Sequence, residues 1–120
     1  MDIQQYSKEV EELAKELSLF QKKFPTNTII WRTSTIPNLY TMDVYYNYAR
    51  YKERLMQIDN TLIYNEIACR IMRSYNIPIF DISMIVLGRY SDINTRGSYD
   101  GLHPSTSLNL EIVRILLSVL

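Results

Sequence analysis

The stretch that decides the predicted fold is TIIWRT, residues 28–33, together with IPIFD at residues 77–81. Both are short apolar runs rich in β-branched and aromatic residues, a composition typical of buried strands. The proline of the second run falls near its start, where a missing backbone donor is tolerated. The sequence therefore predicts two short buried strands, with room for a helix in the connection that joins them.

A first helix is predicted on the N-terminal side of these strands, from apolar residues spaced three and four apart. This stripe consists of Ile3, Tyr6, Val10, Leu13, Leu17, Phe20 and Phe24. Asp2 is a suitable N-cap with Gln5 three residues later, as in a capping box, and Pro25 stops the helix. We expect the stripe to pack against the rest of the chain.

Two further helices are predicted. Asn60 is expected to cap the second helix, and Asn76 to end it in the left-handed region. The expected buried face of that helix consists of Ile63, Ile67, Ile71 and Tyr75. The last helix, about residues 106–119, is apolar on almost every side, a pattern typical of burial on more than one face.

The predicted order of elements is helix, strand, helix, strand, loop and helix, within a single domain of residues 1–120. Such alternation indicates the α/β class, with parallel strands joined by crossover helices. Two parallel strands are too few for a stable sheet, because parallel sheets are wide and covered on both faces. Either further strands lie in residues 34–50 and 82–87, or the chain is part of a larger fold. Residues 82–87 fit a short helix equally well.

Composition excludes several classes of protein. The 120 residues carry 13 basic and 13 acidic side chains, so a formal net charge of zero argues against nucleic acid or an anionic membrane as the main partner. The single cysteine, Cys69, cannot form an internal disulfide. The run from Ile77 to Gly88 is too short to span a membrane, and the polar N-terminus is not a signal peptide. We therefore expect a cytoplasmic location.

The residues that carry chemistry are Asp100 and His103, in the sequence Asp100-Gly101-Leu102-His103-Pro104. An acid three residues before the only histidine, with a glycine that permits a tight turn, can fold its carboxylate onto the imidazole. That contact fixes the tautomer and stabilises the imidazolium, as in a Ser-His-Asp triad. On these residues alone, an Asp-Gly turn followed by an exposed histidine is the simpler interpretation.

The same block, Asp100 to Ser105, leads into the terminal helix and resembles the last conserved block of the SGNH (GDSL-type) esterases and lipases. Residues 31–34, WRTS, are faintly similar to the PC-esterase branch of that superfamily. The resemblance covers the whole chain but only the C-terminal half of the family's domain. It implies a three-layer α/β/α, flavodoxin-like fold, here truncated to a few parallel strands with flanking helices. It also implies ester or acyl hydrolysis, with Asp100 as the acid and His103 as the general base.

The chain departs from this family at the nucleophile. The Gly-Asp-Ser motif and the two blocks that supply the oxyanion hole are absent from the sequence. Ser34, Ser98 and Ser105 are local alternatives, although each has a simpler role as a loop, strand-end or helix-start residue. The nucleophile could also come from an omitted segment or a second chain. The alternative function is an inactive, truncated relative that acts as a protein-interaction or oligomerisation module, with exposed apolar helix faces as its contact surface.

No cofactor or metal is predicted. A metal site made of His103, Asp100, Asp92 and Asp81 lacks a second histidine or thiolate and has no recognised spacing. Cys69 lies in a predicted helix, where a small buried apolar residue is the simplest interpretation. The tyrosines at positions 45, 46, 48 and 51 could stack on sugars or bases, but without basic neighbours they fit core and rim positions better.

Overall fold

The structure, a computed structural model, describes residues 2–35, 51–89 and 106–120, with side chains described at 2–35, 59–85 and 108–120. The helices in these ranges are α1 (Ile3–Lys23), α2 (Tyr51–Ser74), α3 (Ile82–Arg89) and α4 (Thr106–Val119). The strands are β1 (Trp31–Arg32) and β2 (Ile79–Phe80). The element order is α1, β1, α2, β2, α3 and α4.

The two strands are parallel, as predicted, with Trp31 opposite Ile79 and Arg32 opposite Phe80. The prediction of a three-layer α/β/α fold is wrong. Each strand is only two residues long, and the described chain is dominated by its helices. Alternating elements indicate the direction in which strands pair, but not how many strands join the sheet. Of the two segments considered for further strands, residues 82–87 lie in α3, and residues 36–50 lie outside the described part.

The described chain divides into two compact units. The first contains Met1–Thr33 and Ile63–Phe80, and so holds α1, both strands and the C-terminal half of α2. Its core is formed by Val10, Ala14, Ala68, Met72 and Ile77. Side chains that are partly buried against this core are Tyr6, Leu17, Ile29, Trp31, Ile71, Tyr75 and Ile79. Helix α1 and the end of α2 thus cover the strand pair in a small core of their own.

The predicted helix faces are confirmed in part: Val10 is buried, and four other predicted residues pack against the core, namely Tyr6, Leu17, Ile71 and Tyr75. In α1, Leu13 and Phe20 are exposed, while Val10 and Ala14 are the buried residues. In α2, the predicted Ile63 is 42% exposed, whereas Ala68 and its neighbours on the same face are buried. The predicted stripes left out Ala14, Ala68 and Met72, which are 0%, 1% and 0% exposed in this core. Small side chains allow packed helices to approach more closely, since the interaxial distance depends on the residues at the contact.

The ends of these helices follow local rules. The Gln5 N–H donates to Asp2 Oδ1 over 2.7 Å, which confirms the predicted N-cap, although the Gln5 side chain donates to Glu9 rather than back to the cap. Asn76 has φ 58°, as expected for a helix end in the left-handed region. The Ile77 N–H then donates to the Met72 carbonyl at 3.0 Å, which is the hydrogen bond of a Schellman motif that spans six residues.

The start of α2 was predicted incorrectly. The helix begins at Tyr51, so Asn60 lies inside it rather than at its cap. Residues 51–59, YKERLMQID, contain Lys, Glu, Arg, Leu, Met and Gln, which are all good helix formers. Their summed propensity favours continuation of the helix over the capping preference of a single asparagine.

The second unit contains Ser34–Leu62 and Asp81–Leu120. In it, α3 packs against α4, with Ile82, Leu108 and Ile112 buried. The bounds of α4 confirm the predicted last helix. The expectation that this helix is buried on more than one face is wrong, because Leu110 and Leu117 are each 66% exposed.

Candidate functional site

The first candidate place for a site is the edge of the first unit at which both parallel strands end. The Trp31 N–H donates to the Pro78 carbonyl at 2.8 Å, and the Thr33 N–H donates to the Phe80 carbonyl at 3.2 Å. Because the strands are parallel, both of their carboxyl ends lie at this edge, which is where ligands bind in open α/β sheets. Thr33 is buried there. In the chain, Ser34 follows Thr33 and Asp81 follows Phe80, so two polar residues continue from this edge.

Asp81 is held by a serine that the sequence analysis did not select. Ser83 is buried, and its hydroxyl donates to Asp81 Oδ1 over 2.6 Å. Asp81 directly precedes α3, a position where a carboxylate suits the positive end of the helix dipole. The Asp81–Ser83 pair therefore supports the start of α3.

A cleft of about 210 Å³ opens in the first unit where α1 and the end of α2 meet the segments that precede the strands. Its lining is formed by Ser18, Gln21, Lys22, Ile29, Tyr75, Asn76, Ile77 and Pro78. Ligand pockets are commonly about 300–1,000 Å³. The cleft is smaller than that and lies towards the amino ends of the strands, the opposite side from the usual ligand edge. We assign no ligand to it.

Polar contacts beside this cleft join α1 to its surroundings. The Gln21 side-chain amide donates to the Asn27 carbonyl, and its oxygen accepts from the Ile29 N–H at 3.3 Å. The Tyr75 hydroxyl donates to Glu11 Oε1. This hydrogen bond, together with burial, raises the pKa of Tyr75 above its ordinary value. These contacts hold α1 in place against the segments around it.

Two partly buried tyrosines of the first unit, Tyr6 and Tyr64, contact each other. The rings of Tyr6 and Tyr64 lie 4.4 Å apart between centroids, with 36° between their planes. Burial is the main reason that the pKa of Tyr6 is raised, with smaller contributions from Cys69 and Tyr64. Cys69 is buried, as the sequence predicted.

The predicted catalytic pair, Asp100 and His103, lies outside the described residues, as do Ser98 and Ser105. Of the local serines considered as nucleophiles, Ser34 is described, and it is exposed two residues after β1. Asp92 and the tyrosines at 45, 46 and 48 also lie outside the described part, and Tyr51 is described only as the first residue of α2. Among the described residues, no group of three or more potential ligands could hold a metal ion.

The alternative function considered in the sequence analysis expects exposed apolar helix faces, and the structure has one on α4. It consists of Leu110, Val113 and Leu117 of α4 and of Leu120, which follows the helix, with exposed fractions of 66%, 50%, 66% and 70%. At 3.6 residues per turn, Leu117 lies about 180° around the helix axis from the buried Leu108. The spacing of three, four and three residues was visible in the sequence, but it could not be separated from the apolar residues on the buried side.

Comparisons of the chain with protein-family models, curated proteins and solved structures find no match in any of the three. Within the described ranges, none of the helices has both the length and the apolar character needed to cross a membrane.

Proposed function

We propose that this chain is a serine-type ester or acyl hydrolase in which His103 is the general base and Asp100 orients its imidazole. The observation that carries the proposal is the sequence Asp100-Gly101-Leu102-His103-Pro104, which ends two residues before α4 begins at Thr106. The resemblance to the last block of the SGNH esterases rests on these same residues. The order of acid, glycine, histidine and helix start matches that block.

The proposed chemistry needs one proton carrier that works near neutral pH, and an unperturbed histidine titrates near pH 6.5. His103 removes the hydroxyl proton of a serine as the serine oxygen bonds to the acyl carbon. The imidazolium then returns this proton to the departing alcohol. Water then attacks the acyl carbon of the acyl-serine while His103 takes a proton from the water. His103 returns this proton to the serine oxygen as the carboxylic acid leaves. Asp100 holds the imidazole in one tautomer and stabilises its charged form.

The serine itself is a separate part of the proposal. Ser34, Ser98 and Ser105 are the candidates within this chain. Ser34 is exposed and continues the chain from the carboxyl edge of the strand pair, so a substrate could reach it. A serine supplied by a second polypeptide is the other source that the absence of a Gly-Asp-Ser motif allows.

A fluorophosphonate probe tests this proposal, because it reacts with activated serines. The purified chain is labelled and analysed by intact mass and peptide mapping, alongside His103→Ala and Asp100→Asn. Asp92→Asn serves as the matched control, since it removes a carboxylate from the same part of the sequence. A single adduct that is lost in the first two variants and kept in the control supports the proposal. A folded chain that forms no adduct contradicts a nucleophile within this chain and leaves only a serine of a second polypeptide.

A second candidate function, an oligomerisation module, is favoured by a different observation. The described residues expose large apolar side chains on two helices: Leu13, Phe20 and Phe24 beside α1, and the α4 face defined above. Contiguous exposed apolar surface commonly marks a site of protein association. Sedimentation velocity of the intact chain over a range of concentrations tests this candidate. A mass of 14.2 kDa at every concentration would contradict it.

A further inference from the structure

We draw no further inference here: the strongest candidate, the exposed apolar face that Leu110, Val113 and Leu117 form on the C-terminal helix α4, carries none because nothing in the residues that the structure describes shows what covers it.

Discussion

The packing of Met72 leads to the sharpest stability prediction. Met72 is 0% exposed and lies in the core of the first unit with Val10, Ala14 and Ile77. Replacing it by alanine removes three heavy atoms from a site that is closed on all sides. We expect a loss of about 2–5 kcal/mol in the free energy of unfolding, since both transfer energy and a cavity are involved.

Ile63→Ala is the matched variant, because the sequence pattern placed Ile63 on the buried face of α2 and the structure does not. Ile63 is 42% exposed, so much of its surface already contacts water in the folded chain. Its truncation leaves no enclosed cavity, and alanine is the better helix former. We expect a loss of about 1 kcal/mol or less.

Urea unfolding measures both variants. Trp31 is the only tryptophan and packs against this core, so its fluorescence reports on the first unit, while circular dichroism follows the helices. With a typical slope of ~1–3 kcal/mol per molar urea, Met72→Ala should lower the midpoint by roughly 1–3 M. An equal or larger loss in Ile63→Ala would refute the assigned helix face and the reasoning based on it.

Two further predictions concern the end of α2 and its contact with α1. Asn76 has φ 58°, a backbone conformation that glycine adopts at no steric cost and alanine does not. In the same urea assay, Asn76→Ala should lower the free energy of unfolding by about 1 kcal/mol, whereas Asn76→Gly should be neutral or stabilising. Equal losses in the two variants would contradict the backbone argument. The raised pKa of Tyr75 means that the folded state holds the phenol proton more tightly, so this contribution to stability is present below pH 10.0 and is lost as pH rises through the raised pKa. The difference in tyrosinate absorbance between the chain and Tyr75→Phe measures the pKa of Tyr75. Glu11→Gln should lower this pKa, because the hydrogen bond to Glu11 is the main cause of the shift. An unchanged titration would assign the shift to burial instead.

Features that depend on neighbours in the sequence were predicted well. The cap at Asp2, the left-handed Asn76 and the bounds of α4 each follow from interactions within a few residues. The exposed Glu66–Arg70 pair, joined at 2.9 Å four residues apart on α2, is a contact of the same local kind. The strand Trp31–Arg32 was also located within its predicted run, although it is shorter than the run. Local propensity and capping act before any tertiary contact forms, so a sequence displays them directly.

The candidate site could be predicted only in part. Asp100 and His103 were selected from their spacing, and their roles as acid and base stay predictions because both residues lie outside the described part. The Asp81–Ser83 contact was not anticipated, because a hydroxyl two residues from an acid is common and only its burial makes it notable. The residues of the exposed apolar face of α4 could not be selected from the sequence, because an apolar residue does not reveal which side of its helix is covered.

By itself, the sequence determined the N-cap of α1, the left-handed end of α2, the bounds of α4 and the parallel direction of the two strands, since these depend on local interactions and on the connection that joins the strands. Only the tertiary structure decided which helix faces are buried and how far the sheet extends. The core combines Ala14 and Ala68 with the larger Val10, Met72 and Ile77, so burial follows the side of each helix that meets the core and not the hydrophobicity of single residues. Strand number likewise depends on contacts between distant segments, which no local pattern contains.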